Sequence, residues 1–539
     1  MTVRTFSDER SAAFIALGIA RQTRQAVALV CTSGTAAYNF APAVAEAFFS
    51  EVPLVVFTAD RPGEWIAQHD GQTIFQSGIF GRHVKKSYDL PQEYTHADDQ
   101  WSLIRMVNEA INLAGEAPTG PVHINVPLRE PLYPGQRETV QEASPAKIVE
   151  TPAALPALTP SAQAEMLRRW DEFHNILIVA GQHDHDPELV SAIDTLSRGM
   201  HIPFVAEATG NFHGAESAVR FADAFLAGAS DDLKGSLRPD LLVTFGRGIV
   251  SKHIKKFLRQ FPASAHWHIQ SAGSVADTFQ QLTSVLRITP AHFLEILSGS
   301  KGKGTFEDQK QQNYFNLWEI EERRTRSGLE AWFAQDHPGE LSLVQKVITA
   351  LPAHANLHLA NSLSVRYANL VVMAPERRDV TVYANRGTSG IDGCTSAAVG
   401  HALSGKEMNV LITGDVAFFY DRNAFWHNYN LPNLRVVMLN NHGGAIFRMV
   451  EGAEDLPESD EYFVTRQKLT AKHLCEEFGF EHIRLDNKPA DSQRKMANAL
   501  KNFFDDDGIT KILELETSAD EAAETLKALR QHLNKRYEQ

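Results

Sequence analysis

Val410-Leu411-Ile412-Thr413-Gly414-Asp415 and Val436-Val437-Met438-Leu439-Asn440-Asn441-His442-Gly443-Gly444 are two apolar runs, each ending in a polar, glycine-bearing turn. Short apolar runs of this kind read as buried parallel strands. In open α/β sheets ligands sit outside the carboxyl ends of the strands, where Asp415 and Asn441 fall. Their chemistry suits a divalent metal and a diphosphate. Mg²⁺ prefers an octahedron of oxygens. Asp415 can supply a carboxylate oxygen, Asn441 an amide oxygen and Gly443 a backbone carbonyl, with phosphate oxygens and a water to complete the shell. Gly414, Gly443 and Gly444 let the backbone approach phosphates, and a following helix N-terminus favours their charge. The plainer reading is two ordinary strand-to-helix turns, since Gly, Asp and Asn are common there.

The rest of the chain supports a sheet-based enzyme. Its 539 residues exceed one core, and three α/β domains are expected. Pro134, Pro145, Pro152, Pro156 and Pro160 mark one linker (134–160), and the Gly-, Lys- and Gln-rich stretch 298–312 marks another. The domains are then 1–133, 161–297 and 313–539. Each alternates apolar runs with amphipathic stretches: Ala26–Cys31 and Pro53–Thr58, then Ile176–Ala180 and Leu241–Phe245, then Val410–Ile412, Leu434–Leu439 and Ile509–Leu515. A last helix is expected at about Ala519–Lys535. This predicts three tandem doubly wound parallel-sheet domains.

A formal net charge of −14 argues against a general nucleic-acid binder, so any anionic substrate must be met by local cations. Cys31, Cys394 and Cys475 are too scattered for a disulfide framework or a zinc cluster, which suggests a reducing compartment. No apolar stretch reaches transmembrane length and no signal-peptide core opens the chain, so a cytoplasmic protein is expected.

Near the start, Thr5-Phe6-Ser7-Asp8-Glu9-Arg10 opens a helix. Locally, Ser7 would cap it, with Asp8 and Glu9 complementing its dipole. Cys31-Thr32-Ser33-Gly34-Thr35-Ala36, with Asn39, is a strand, a small-residue turn and a helix start, an arrangement suited to a cofactor.

Glu9, the Thr32–Ala36 segment and the Gly414-Asp415…Asn440-Asn441 pair together resemble the thiamine diphosphate-dependent decarboxylase family. There, a pyrimidine-binding and a diphosphate-binding domain flank a central one. Longer stretches resemble that family's menaquinone-pathway carboligases: TFSDER (Thr5–Arg10), TSGTA (Thr32–Ala36), TADRP (Thr58–Pro62), DGQTI (Asp70–Ile74), GPVHINVPLREPLY (Gly120–Tyr133), NSLSVR (Asn361–Arg366), ANRGTSGIDG (Ala384–Gly393) and NNHGGAIF (Asn440–Phe447). The resemblance covers both outer domains and is weak in the middle one.

The resemblance implies thiamine diphosphate with Mg²⁺ or Mn²⁺ as cofactors, and a transferase that joins 2-oxoglutarate to isochorismate with loss of CO₂. Glu9 would be the catalytic acid that bonds the aminopyrimidine, in a largely apolar pocket that raises its pKa. Thr32, Ser33, Gly34, Thr35, Ile391, Gly414, Asp415, Val416, Asn441, Gly443, Gly444 and Ile446 would hold the cofactor, Ile391 beneath its bend. Asp415, Asn441 and Gly443 would hold the metal. Both substrates are dianions, which calls for arginines that grip carboxylates bidentately. Arg61, Gln72, Lys252, Ser362, Arg366, Arg386 and Phe447 are the substrate-binding candidates, with Ser362 and Arg366 sharing a helical face. Ile391 and Phe447 could equally be core residues, Arg366 a surface residue, and Lys252 part of a basic helix face capped by Ser251. The position after Lys252, often arginine in the family, is His253 here. The resemblance further implies a homodimer or homotetramer with active sites shared between chains. The family also carries a strand and a Pro-Gly-Ser-Arg loop ahead of its catalytic glutamate. Only residues 1–8 precede Glu9, so the expectation is either that the chain begins at an internal methionine of a longer protein or that it is a natural variant with impaired or altered activity. Other readings remain open: a different thiamine diphosphate-dependent 2-oxoacid decarboxylase or acetolactate-type synthase, or a non-catalytic member of the family.

Overall fold

The computed structural model describes residues 2–129, 146–299, 309–335, 337, 339–371, 373, 377–449, 452, 456–486 and 492–535. The stretches read as linkers, 134–160 and 298–312, lie partly outside the described residues, as does the end of the Gly120–Tyr133 motif.

Three sheets form, and every strand pair in them is parallel. The first contains β1 (Val27–Cys31), β2 (Leu54–Asp60), β3 (Ser87–Asp89) and β4 (Val122–Pro127), in the order β1-β2-β4-β3. The second contains β5 (Ile176–Ala180), β6 (Phe204–Ala206), β7 (Ala218–Val219), β8 (Leu241–Phe245), β9 (Ala265–Ile269) and β10 (Ser284–Leu286), in the order β10-β9-β8-β5-β6-β7. The third contains β11 (Asn356–Leu359), β12 (Thr381–Tyr383), β13 (Asn409–Gly414), β14 (Leu434–Asn440), β15 (Glu481–Asp486) and β16 (Lys511–Glu516), in the order β12-β11-β13-β14-β16-β15. The α/β architecture is the one expected, and the last helix runs Ala519–Asn534.

Continuous apolar strands arise where both faces of a sheet are covered, as at β2 and β5; β1 differs, with Ala28 and Val30 exposed on one face. In β5, Ile176, Ile178 and Ala180 join one apolar cluster while Leu177 and Val179 join another. In β2, Leu54 and Val56 face one core and Val55 the other. This is the two-residue alternation of a strand between two helical layers. Each such Leu, Ile or Val contributes about 1.5–3 kcal/mol relative to exposure. A one-residue slip in register would therefore move side chains between two differently shaped cores.

The chain divides into two compact units. One comprises Met1–Ala154, Asn385–Lys406 and Tyr420–Leu431, and holds the first sheet. Within it the helix Glu9–Thr23 lies unusually close to the helix Cys394–Ser404. A Cβ on Gly18 would sit 2.1 Å from the Ala397 carbonyl oxygen, and one on Gly400 2.1 Å from that of Ile15. Only glycine allows this backbone approach. The other unit, Leu155–Ala384, Glu407–Phe419 and Pro432–Gln539, holds the second and third sheets.

Buried charges interrupt the core of the third sheet, among them Arg435, Lys511 and Glu514. Arg435, the second residue of β14, is fully buried. Its guanidinium donates to the carbonyls of Phe503 (2.6 Å), Asp505 (2.5 Å), Ile509 (3.0 Å), Pro432 (2.8 Å) and Leu434 (3.0 Å). Among the described residues no helix is long and apolar enough to cross a membrane. The three cysteines are free and buried.

Candidate active site

β13 ends at Gly414, and a six-residue helix, Asp415–Tyr420, begins directly after it. Asp415 is buried. Its Oδ2 accepts from Gln467 Nε2, while its Oδ1 has no hydrogen-bond partner within the protein. Burial pushes its carboxyl up to about 6, against the opposing hydrogen bond from Gln467. Asn441 follows β14 on the adjacent strand. Its Nδ2 donates to Glu340 Oε1 at 2.6 Å, and its Oδ1 is likewise buried without a protein partner. An unsatisfied buried polar atom costs about 1–3 kcal/mol. Two such oxygens on neighbouring strand ends, one carboxylate and one amide, form the hard-oxygen half of a cation site. Among the described residues no group of three or more His, Cys, Asp or Glu could hold a metal. The residues present fit a diphosphate-bound Mg²⁺ or Mn²⁺.

Glu340 aims the Asn441 oxygen. It is fully buried at the start of the helix Glu340–Ala350, and burial raises its carboxyl despite three donors. These are Asn441 Nδ2, Tyr367 OH at 2.9 Å and Thr517 Oγ1 at 3.0 Å. With its amide nitrogen held, Asn441 presents only its oxygen. Gln467 does the same for Asp415 and also donates to Asn440 Oδ1 at 3.1 Å.

The glycines divide in role. A Cβ on Gly414 would meet nothing within 4 Å, which leaves room for a ligand at this strand end. One on Gly443 would lie 2.7 Å from the Val464 carbonyl oxygen, and Gly444 N donates to that oxygen at 2.7 Å. Gly443 is therefore demanded by the neighbouring chain. Its own carbonyl accepts Ala445 N at 3.1 Å, with one lone pair left over. The helix expected after this turn is a 3₁₀ turn, Ala445–Met449. It carries Ile446, packed against the third-sheet core, and Phe447, whose ring centroid is 5.7 Å from that of Phe463. Val416 is half-buried.

A second neighbourhood lies in the same unit. Ser362 precedes the helix Leu363–Ala368 with φ +71°, so it does not share a helical face with Arg366 as expected. Instead Arg366 Nη1 donates to the Ser362 carbonyl at 2.5 Å. The Arg366 guanidinium feels the charges of Asp223 and Glu207. Lys252 opens the helix Lys252–Gln260 and is exposed. Ser251 caps this helix, accepting Ile254 N at 3.0 Å, and donates its hydroxyl to Asp223. Asp223 also accepts His253 N at 3.0 Å. Asp223 thus links the surroundings of Lys252 to those of Arg366.

In the first-sheet unit, Glu9 is the first residue of its helix and half-buried. The cap is Asp8, not Ser7: Asp8 Oδ1 accepts Ser11 N at 2.8 Å and Oδ2 accepts Asn423 Nδ2 at 2.8 Å. Burial works against the Asp8 carboxylate, but these bonds hold its pKa below the usual value. Burial, and then the charge of Glu9, push the Cys31 thiol up to about 12, which places the end of β1 beside Glu9. In the turn that follows, Ser33 is buried while Thr32 and Thr35 are exposed. Gly34 has φ +88° and donates its N–H to Gln76 Oε1 at 2.7 Å. A Cβ there would lie 3.3 Å from Gln72 Cα, so this turn and the Gln72 loop abut. Arg61 is half-buried and donates its N–H to Asp60 Oδ1 at 2.8 Å. Arg386 and Ile391, both half-buried, ride on a loop anchored by buried Glu46. Glu46 accepts Gly387 N at 2.9 Å, Thr388 N at 2.6 Å and Thr388 Oγ1 at 2.9 Å.

Sequence reasoning missed Glu340, Gln467, Glu207, Asp223, Glu46 and Gln76. Each is a lone acid or amide whose decisive partners lie far along the chain, although Glu46 also accepts Ser50 Oγ and Gln467 accepts Leu469 N.

Parallel sheets with orphaned carboxylate and amide oxygens after adjacent strands belong here to a thiamine diphosphate enzyme, as the family models show. Residues 1–79 match the family model described as thiamine pyrophosphate enzyme, N-terminal TPP binding domain, and residues 365–512 the corresponding C-terminal TPP binding domain. The chain is 40% identical over 538 residues to a 2-succinyl-5-enolpyruvyl-6-hydroxy-3-cyclohexene-1-carboxylate synthase of Cytophaga hutchinsonii, covering 100% of this chain and 93% of that one. It is 35% identical over 528 residues to the enzyme of that name from Bacteroides thetaiotaomicron (98% and 90% covered). The Desulfotalea psychrophila enzyme is 36% identical over 480 residues (88% and 85% covered). The chain belongs to the 2-succinyl-5-enolpyruvyl-6-hydroxy-3-cyclohexene-1-carboxylate synthase family.

Proposed function

We propose that the protein joins 2-oxoglutarate to isochorismate with loss of CO₂, giving 2-succinyl-5-enolpyruvyl-6-hydroxy-3-cyclohexene-1-carboxylate in menaquinone biosynthesis. The observation that carries this reading is the pair of buried, unpartnered oxygens on Asp415 and Asn441, in a chain whose nearly full-length relatives bear that product in their name. Thiamine diphosphate, when bound, supplies the carbon nucleophile and the electron sink for decarboxylation.

The chain's residues would do the rest. Asp415 Oδ1, Asn441 Oδ1 and the Gly443 carbonyl hold the Mg²⁺ or Mn²⁺, and Gly414, Val416, Gly444 and Ile446 border the diphosphate. Thr32, Ser33, Gly34 and Thr35 would border the pyrimidine, and Ile391 would pack against the bound cofactor. The Glu9 carboxyl would hold or give up a proton at the pyrimidine of the bound cofactor. Arg61, Arg386, Lys252 and Arg366 grip the carboxylates of the two dianions, with Gln72, Ser362 and Phe447 shaping the cleft. The working unit is a symmetric homodimer, or a tetramer built from it, in which Glu9 of one chain serves the Asp415 of its partner. The protein works in the cytoplasm and needs no nucleic-acid partner.

The test uses purified protein with thiamine diphosphate and Mg²⁺. CO₂ release from 2-oxoglutarate, with product of the adduct mass only when isochorismate is present, is expected. Rapid turnover of pyruvate in place of 2-oxoglutarate, or failure to bind the cofactor, would refute the reading.

A further inference from the structure

Glu207 follows β6 at the carboxyl end of the second sheet and is buried. Its Oε2 accepts Val250 N at 2.5 Å and its Oε1 accepts Ser251 N at 2.6 Å. Those amides belong to the turn that opens the Lys252–Gln260 helix. Oε1 also takes Asn369 Nδ2 at 3.3 Å, and Asn369 Oδ1 takes Ala208 N at 3.0 Å. Asn369 ends the helix that carries Arg366. One carboxylate is therefore bonded at once to the segment presenting Lys252 and to the segment presenting Arg366.

Helix capping does not account for it. The Lys252–Gln260 helix already has a local cap in Ser251, itself held by Asp223. Glu207 is a second acid, brought from a distant strand into a dry position where burial pushes its carboxyl up to about 7, with the Asp223 charge adding to that and Lys255 opposing it. Burying a carboxylate costs several kcal/mol unless its bonds compensate, and a serine cap achieves the local task without that cost. What Glu207 adds is a hydrogen-bonded cross-link between the two segments.

We propose that Glu207 is a positioning residue that fixes the Lys252 ammonium relative to the Arg366 guanidinium, so that the distance between the two cations selects the length of the dicarboxylate substrate. This rests on the reading of Lys252 and Arg366 as carboxylate contacts. Both are exposed, and Arg366 lies within the field of Glu207 and Asp223.

The test is steady-state kinetics of the holoenzyme for wild type, Glu207→Gln, Lys252→Gln and the double variant, with 2-oxoglutarate and its one-methylene-longer homologue 2-oxoadipate. A glutamine can accept only one of the two backbone N–H groups and turns its own N–H toward the other. Loss of that charge-assisted bond should raise KM for 2-oxoglutarate roughly 10-fold and leave kcat within about 3-fold. The preference for 2-oxoglutarate over 2-oxoadipate should narrow. With Lys252→Gln already present, Glu207→Gln should add little to KM. An undiminished effect in that background, or a fall in kcat with KM unchanged, overturns the inference and leaves Glu207 a purely structural acid. A wild-type KM for Lys252→Gln alone sinks the underlying reading of Lys252 and the inference with it. Should Glu207→Gln not fold, Asn369→Ser cuts the same link from the other side and is read in the same way.

Discussion

Removing Glu340 separates the geometry of the metal ligand from its charge. Glu340 Oε1 accepts both Asn441 Nδ2 and Thr517 Oγ1, while Oε2 accepts only Tyr367 OH. In Glu340→Gln the side-chain oxygen can keep the first two bonds, and the new N–H₂ group can donate to the Tyr367 hydroxyl once that hydroxyl rotates. Asn441 stays aimed, so Mg²⁺ affinity should stay within about 3-fold, less than one lost neutral hydrogen bond would change it. Glu340→Ala strips the acceptor from three buried donors, at about 1–3 kcal/mol each before water fills the space. Asn441 is then free to turn its nitrogen toward the metal. Loss of such an outer partner typically costs 10–100-fold in metal affinity, or about 1.4–2.8 kcal/mol. The assay is Mg²⁺ titration with thiamine diphosphate present, followed by intrinsic tryptophan fluorescence, beside a thermal melt of the apoprotein. Equal losses in the two variants would mean that the charge of Glu340, not its aim, matters. Unchanged affinity in Glu340→Ala would remove Asn441 from the metal site.

Glu46→Ala should release the loop that carries Arg386 and Ile391, raising the substrate KM about 10-fold or more for the lost charge-assisted bonds; an unchanged KM would detach Arg386 from the site. Arg366→Ala should raise KM for 2-oxoglutarate about 10–100-fold, and Arg366→Lys should recover only part of this, because an ammonium lacks the bidentate fork. A kcat effect without a KM effect would refute a binding role. Asp421 is buried, and burial raises its carboxyl from 3.8 to about 7 although Ser396 N and Oγ both donate to it at 2.7 Å and Arg10 is nearby. The folded state holds that proton more tightly than the unfolded one. Stability is therefore fully present below about pH 4 and falls as pH rises toward about 7, by at most about 1.4 kcal/mol per pH unit. The nearly isosteric D421N should flatten this slope. Urea melts should show its gain over wild type growing from pH 5 to pH 8, and a constant difference would refute the assignment.

The strands were legible wherever both faces are dry. Leu434–Asn440 is buried at every position, so it reads as an apolar run in spite of Arg435. Asp415 and Asn441 were legible because oxygen-bearing side chains after two such runs must fall at the carboxyl end of a parallel sheet. The division of labour inside Asn440-Asn441 was not legible. Asn440 gives its amide to Glu514 at 2.7 Å while Asn441 gives its own to Glu340, as expected of successive residues that point to opposite sides. The helix start at Glu9 was read correctly, but its cap was misplaced by one residue because serine and aspartate cap equally well, and Asn423, distant in sequence, holds Asp8. Glu207, Glu340 and Glu46 could not be found because a buried acid and a surface acid look alike until the donors from remote segments are placed around them.

Arg435 also bears on the order in which the protein can assemble. Its guanidinium cannot shed its proton, and its Nε and Nη2 acceptors, Phe503 and Asp505, are contributed by chain made much later. Until Phe503 is reached, the segment that covers this cation is missing and the guanidinium stays hydrated; seating it dry without those acceptors would cost about 3–5 kcal/mol. β14 is therefore expected to stay unseated until residues 503–509 arrive to receive its first turn. Because Asn441 hangs from the other end of the same strand, that end of the candidate site is expected to be completed only when synthesis is nearly finished.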